Sequence, residues 1–315
     1  MKILFISFVM LSFCLTVFSQ NLTTGEGYVN VTGGNIWYKI VGEGNGIPLL
    51  IIHGGPGSRS CNSIPGYSVL GDERPVIFYD QLGSGNSDRP NDTTLWQLPR
   101  FVEEIENLRS TLKLDELHIL GASWGAAILI EYLITKNPKG VMSVIFKSPL
   151  LSTRVWVDDA KILLSQLPPN LQDTIKKYEA IKEYFAPAYL DATDSFYVRF
   201  LSRNNWPGTP PPDCDGVLGF NDNVYTYMWG PTEFTATGTL KEFDRTADLN
   251  EINQPVLFLG GQYDEARPET LNKFNELTPN SRVVIIDNAA HDCLADQPEQ
   301  TVKTIRDFLH YAEVK

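Results

Sequence analysis

With 315 residues, 43% hydrophobic and 20% charged, the chain has room for one large domain or two modest ones around a sizeable core. That composition excludes a disordered, collagen-like or coiled-coil protein. A net charge of −12, with no basic stripe, excludes nucleic acid and anionic lipid as natural partners, because an acidic surface repels both.

The chain opens on Met1-Lys2 and an apolar run, Ile3 to Phe18, broken only by Ser and Thr. A short basic start, a hydrophobic stretch and Ser19 before Gln20 read as a cleavable signal peptide over residues 1–19. An uncleaved membrane anchor is the competing reading, but the run falls short of the about 20 residues a span needs. The expected location is secreted or periplasmic, with no stable membrane association once the segment is removed. Cleavage leaves 25 basic and 38 acidic residues, a net charge of −13, and three cysteines: Cys61, Cys214 and Cys293. An odd count leaves at least one thiol unpaired within the chain. One bridge can form, and the sequence does not say between which two.

From residue 20 onward, strand-like and helix-like segments alternate. Two opening strands, near Tyr28–Val31 and Ile36–Val41, flank Gly33-Gly34-Asn35, a hairpin signal. Apolar β-rich runs follow at Leu49–His53, Val76–Tyr79, Leu117–Leu120, Val141–Phe146, Val256–Leu259 and Val283–Ile286. Helical spacing joins Phe101, Ile105, Leu108 and Leu112, then Ala127, Ile130 and Ile134, and near the end Ile305 and Phe308. Such alternation predicts an α/β fold, a mostly parallel sheet flanked by helices, whose first strands run antiparallel. The pattern fails between about Leu150 and Arg245. Helices are expected at Asp158–Leu167 and Leu171–Tyr184, followed by aromatics and the run Pro207-Gly208-Thr209-Pro210-Pro211-Pro212. An insertion of that length between two buried strands has to sit above the sheet. Residues 150–245 are therefore read as a mainly helical cap, inserted between core segments 20–149 and 246–315.

Gly121-Ala122-Ser123-Trp124-Gly125 is a G-x-S-x-G motif set between the strand His118-Ile119-Leu120 and the helical run from Ala126. Strand, tight turn and helix are the setting a nucleophile elbow requires, with Ser123 exposed at the helix N-terminus. Of the four histidines, His118 lies inside a strand and His310 in the last helix, and both read as structural. His53 begins His53-Gly54-Gly55-Pro56-Gly57 and reads as shaping that loop. His291 follows the last strand, where a loop reaches the carboxyl edge of the sheet, and is the expected base. The expected acid is Asp264, after the strand Val256–Leu259, with Glu265 adjacent; Asp287 and Asp292 read as solvated loop residues. The chain order Ser, acid, His fits the elbow architecture. Oxyanion donors are expected from the N–H of Trp124 and from Gly55, with Gly54 as the alternative.

On these residues the chain resembles the proline iminopeptidase family of α/β-hydrolases, including the tricorn-interacting aminopeptidases. The resemblance rests on His53-Gly54-Gly55-Pro56-Gly57, Asp80-Gln81-Leu82-Gly83-Ser84-Gly85-Asn86-Ser87 and the elbow. More specific still are Met228-Trp229-Gly230-Pro231-Thr232-Glu233-Phe234 and Gly261-Gln262-Tyr263-Asp264-Glu265. It implies an α/β-hydrolase fold and a serine aminopeptidase that releases an N-terminal residue from small peptides through an acyl-enzyme, with no metal and no cofactor. It also implies that Glu233 and Glu265 hold the free α-amino group of the substrate. Leu82 and Ser84 stand where many proline-specific members carry Arg and Cys, so the residue released is expected to be proline or another small or hydrophobic one. The cap aromatics Tyr225, Tyr227, Trp229 and Phe234 read equally as a ring-accepting pocket or as cap core. An esterase, lactonase or amino-acid amidase on the same fold is the alternative, since fold does not fix substrate.

Overall fold

A computed structural model of the chain describes residues 22–204 and 208–314. The expected signal peptide lies outside the described residues, as does Pro207.

Eight strands form one sheet: β1 (Gly25–Val31), β2 (Gly34–Val41), β3 (Leu49–Ile52), β4 (Val76–Tyr79), β5 (Leu117–Ala122), β6 (Val141–Lys147), β7 (Val256–Gly261) and β8 (Ser281–Ile286). Their spatial order is β1-β2-β4-β3-β5-β6-β7-β8. The hairpin signal at Gly33-Gly34 closes β1 onto β2, with Val31 opposite Gly34, and β2 runs antiparallel to β4. From β4 to β8 every pairing is parallel. Continuous apolar runs such as Leu49–Ile52 and Val76–Tyr79 follow from that arrangement, because central parallel strands are covered on both faces.

The covering helices are α1 (Ile64–Tyr67), α2 (Leu98–Leu112), α3 (Trp124–Lys136), α4 (Thr153–Leu164), α5 (Pro169–Ala180), α6 (Pro187–Phe200), α7 (Asp222–Met228), α8 (Pro268–Leu277), α9 (Cys293–Asp296) and α10 (Pro298–Glu313). The alternation of side chains along each strand divides the core in two. Leu50, Ile52, Ile77 and Ile119 pack with α2, α3 and α8. Leu49, Ile51, Phe78 and Leu257 pack with Ile305, Phe308 and Leu309 of α10.

Helices α4 to α7 lie between β6 and β7. The stretch after Tyr184, read from the sequence as aromatics and prolines without a helix, contains α6. Its Pro187 occupies the first turn, where a missing N–H costs nothing. Tyr189, Ala192, Phe196 and Phe200 line one face at helical spacing and join Leu163, Ile175 and Phe234 in a third apolar cluster. Among the described residues one bridge joins Cys61 to Cys214 and leaves Cys293 free and buried. It ties the loop beyond β3 to the segment that precedes α7.

His118 is structural, as expected. It is buried in β5, and its ring meets Ser143 Oγ at 2.7 Å and Glu313 Oε1 at 3.1 Å. The buried Arg74 also donates to Glu313, so one carboxylate of α10 serves two enclosed groups. Burial pushes the Glu313 carboxyl up, but bonding from His118 and Arg74 overrides this and holds it down at about 2. A carboxyl that binds its proton less readily when folded stabilises the chain above its unfolded pKa, and that contribution fades as pH falls through the folded value. Glu313→Gln is expected to lower the urea midpoint at neutral pH, at a cost of about 1–3 kcal/mol. The variant should also lose less further stability than the parent between about pH 5 and 2. Parallel pH profiles of the midpoint in both chains would contradict this.

Candidate active site

The elbow is built from β5 and α3. Ser123 caps α3 at φ 53° and ψ −120°, a strained conformation for a residue with a side chain. Its N–H donates to the Lys147 carbonyl at 2.9 Å, which fixes the turn to β6. Glycines make the close approaches. A Cβ on Gly125 would lie 2.3 Å from the Ile52 carbonyl oxygen, and one on Gly121 would lie 2.6 Å from the Gly125 oxygen. Strand β3 thus runs directly beneath the start of α3.

The loop after β3 lies over Ser123. The position of a Cβ on Gly54 is 3.2 Å from Ser123 Cβ and 3.8 Å from its Oγ. Gly55 has φ +123°, open to glycine and strained for other residues. Among the described residues, no backbone acceptor engages the N–H of Gly54 or Gly55. His53 shapes this loop. Its Nε2 accepts from the Gln81 N–H at 3.1 Å, so the proton sits on Nδ1, which donates to the Gly54 carbonyl at 2.7 Å. Burial lowers the His53 pKa and keeps the ring neutral. Gln81 in turn accepts from the Trp124 indole at 2.9 Å, joining the loops after β3 and β4 to α3.

On the other side, His291 and Asp264 meet across the ends of β8 and β7. His291 Nδ1 donates to Asp264 Oδ1 at 2.8 Å, which leaves Nε2 with its lone pair. Asp264 is 1% exposed, and its carboxylate also accepts from the N–H groups of Ala266 at 2.9 Å and Gly261 at 3.2 Å. It cannot turn away from the ring without losing all three bonds. Asp287 is exposed, and Asp292, also largely exposed, caps α9. His310 lies on the surface of α10 against Glu73 at 2.7 Å.

Beside this pair stand the two acids from the specific motifs. Glu265 Oε1 is 3.6 Å from His291 Nδ1, and Glu265 is 2% exposed. Neither of its oxygens has a hydrogen-bond partner among the described residues. Burial, then Glu233, then Asp264 drive its pKa well above the ordinary carboxylate value. Glu233 is also raised by burial, partly offset by His291 and by a bond with the Tyr225 hydroxyl. Two mutually repelling carboxylates in a closed space favour a cation between them.

The cap aromatics divide. Phe234 packs on Phe196 at 5.2 Å and is cap core. Tyr227 is 37% exposed and meets Trp96. Tyr225 holds Glu233. Trp229 crosses Trp156 at 6.0 Å, and Trp156, which the sequence did not single out, stands edge-on to the His291 ring at 5.5 Å. The Trp156 indole also donates to the Glu233 carbonyl at 3.0 Å, so one side chain of α4 touches both the imidazole and the acid's main chain. Its only sequence signal is a place two residues before the expected start of the cap helix.

Comparison with known proteins bears on the fold and the family. The family model for the alpha/beta hydrolase fold matches residues 47–298, which sets the class. A proline iminopeptidase of Heyndrickxia coagulans is 45% identical over 290 residues, spanning 90% of this chain and 98% of that protein. The crystal structure of VinJ superposes with a TM-score of 0.84 at 29% identity, over 91% of this chain and 99% of that one. A proline iminopeptidase of Mycobacterium smegmatis superposes with a TM-score of 0.81, also at 29% identity, over 92% and 99% of the two chains. The chain belongs to the proline iminopeptidase family of α/β-hydrolases.

Gly125→Ala tests the elbow. With backbone oxygens of Ile52 and His53 at 2.3 and 2.7 Å from the added methyl, β3 or α3 has to shift. A loss of about 1–3 kcal/mol is expected, read as a lower urea midpoint. An unchanged midpoint would show that the two elements are not packed this tightly.

Proposed function

We propose that the chain is a serine aminopeptidase that releases N-terminal proline, or another small or hydrophobic residue, from peptides with a free amino terminus. Glu265 carries this reading: an enclosed carboxylate with two unpartnered oxygens, facing a second acid beside His291. An ammonium supplies the missing donors and the missing charge. Each charge-assisted bond contributes about 1.5–3 kcal/mol net, enough for two of them to exclude an acetylated amine. The names of the relatives support the same activity.

In the proposed mechanism Ser123 attacks the carbonyl of the first residue while Nε2 of His291 takes its proton. Asp264 holds the tautomer and stabilises the imidazolium. The N–H groups of Gly55 and Trp124 stabilise the oxyanion, a donor pair of which each member contributes on the order of 100- to 1000-fold in rate. His291 then protonates the leaving amine, and water resolves the acyl-enzyme.

A prolyl arylamide is expected to be cleaved and its N-acetyl form to be left intact. Equal turnover of the two would remove the amine anchor. Glu265→Gln should raise KM for the free-amine substrate about tenfold or more and change hydrolysis of a simple acetate ester much less. KM should also rise as pH falls, starting above the ordinary carboxylate range, because protons compete with the ammonium for Glu265. Ser123→Ala should abolish both activities while the chain still folds.

We also propose export to the periplasm or the extracellular space. The Cys61–Cys214 bridge supports this, since such bonds persist in oxidising compartments. The exported chain is expected to begin at Gln20 on N-terminal sequencing. A chain that keeps Met1 and stays in the cytoplasm would reject export.

A further inference from the structure

The last residue of β6 and the one after it are not used by the mechanism above. Lys147 is 6% exposed, and an ammonium is costly to enclose without partners. Its Nζ donates to the main-chain carbonyl of His291 at 3.0 Å. The hydroxyl of Ser148, which is wholly buried, donates to the same oxygen at 3.0 Å. The dipeptide is itself fixed on both sides. The Lys147 carbonyl accepts from Ser123 N–H at 2.9 Å, and Ser148 N–H donates to Leu259 of β7 at 2.7 Å. Ser148 has φ +48°, a conformation that residues other than glycine seldom adopt. One dipeptide therefore bonds the nucleophile's main chain, the strand leading to the acid, and the main chain of the base.

Charge gives Lys147 a second part. Asp264 Oδ1 and Glu265 Oε1 lie 2.8 and 3.6 Å from His291 Nδ1, and Glu233 lies within charge–charge reach of the same ring. Lys147 stands beneath the same loop. Around it are Asp264, Tyr67 of α1, Cys293 and Asp292, with Asp292 Oδ1 at 3.8 Å. Burial lowers the pKa of the ammonium, and these neighbours more than restore it. Burial holds Cys293 as a thiol, at about 11, and Tyr67 as a phenol.

We propose that Lys147 and Ser148 are positioning residues for the proposed reaction: together they clamp the His291 carbonyl, and the Lys147 ammonium is the counter-charge that keeps the imidazole free to accept the Ser123 proton. The proposal rests on the serine-hydrolase part of the reading above and not on its substrate.

The test is the pH dependence of fluorophosphonate labelling at Ser123, which needs no peptide substrate. Lys147→Met is expected to slow labelling at neutral pH by about tenfold or more and to move the acid limb, which reports protonation of the base, up by about half a unit or more. Lys147→Arg should keep the limb where the parent has it. Ser148→Ala, which removes a bond and no charge, should slow labelling several-fold with the limb unmoved. A merely structural lysine would slow labelling without moving the limb, so a Lys147→Met limb at the parent position overturns the counter-charge. Parental labelling by Ser148→Ala overturns the clamp; if Lys147→Met does not fold, Lys147→Gln reads the limb in its place, and a parental limb there overturns the counter-charge. Labelling that follows this pattern in a chain inactive on prolyl arylamides would sink the substrate reading and leave this one standing. No labelling of the parent would remove both.

Discussion

Six strands, β3 to β8, run parallel, so their carboxyl ends open on one edge of the sheet. That constraint gathers residues far apart in sequence. Ser123 follows β5, Lys147 ends β6, Asp264 and Glu265 follow β7, and His291 follows β8. The loops after β3 and β4 reach the same edge and are joined by His53 and Gln81. Right-handed crossovers leave the helices on the two faces and the edge free. The cap, inserted between β6 and β7, then closes over that edge.

The cap does more than cover. Its α4 places Trp156 against His291, and the end of α6 accepts from the main chain of the histidine loop: Phe200 from His291 N–H at 3.1 Å and Leu201 from Asp292 N–H at 2.7 Å. The segment before α7 is held to the core by the Cys61–Cys214 bridge and by Asn221. That residue donates from its main chain to Gly57 at 2.9 Å and from its side chain to Gly83 at 2.8 Å. Glu233 is thus fixed relative to Glu265 although 32 positions separate them in sequence. A carboxylate pair can select a single ammonium only if its spacing is held, and the ties between cap and core hold it.

The same enclosure sets the electrostatics. Asp264 and Glu265 are buried side by side with Glu233 close by, where like charges repel strongly. Asp264 is satisfied by the imidazole and two N–H groups. Glu265 is not, and its unmet oxygens are the most direct structural sign of a ligand. Structural acids in the same chain behave differently. Glu104 is equally buried and its Oε2 is also unpaired, yet its Oε1 accepts from Arg100 at 2.6 Å and from the Leu82 N–H at 2.9 Å, whereas Glu265 has no partner on either oxygen.

Local patterns carried much of this into the sequence. Apolar runs announced the buried strands because a strand covered on both faces has no polar side to show. The elbow was legible because strand, tight turn and helix leave three glycine-like requirements within five residues. Asp264 and His291 were expected from their places after the last two strands, in the chain order of the elbow architecture, and Glu233 and Glu265 from motif resemblance. Tertiary structure decided what depends on contact between distant segments. It chose Cys61 and Cys214 over Cys293, sorted Phe234 into the cap core and Tyr225 onto Glu233, and brought Trp156 to the histidine. Lys147 follows the apolar run Val141–Phe146, and the sequence reading did not single it out. Only folding put its ammonium under a carbonyl 144 positions away, because a side chain's partners are set by strand order and loop path, which no local spacing encodes.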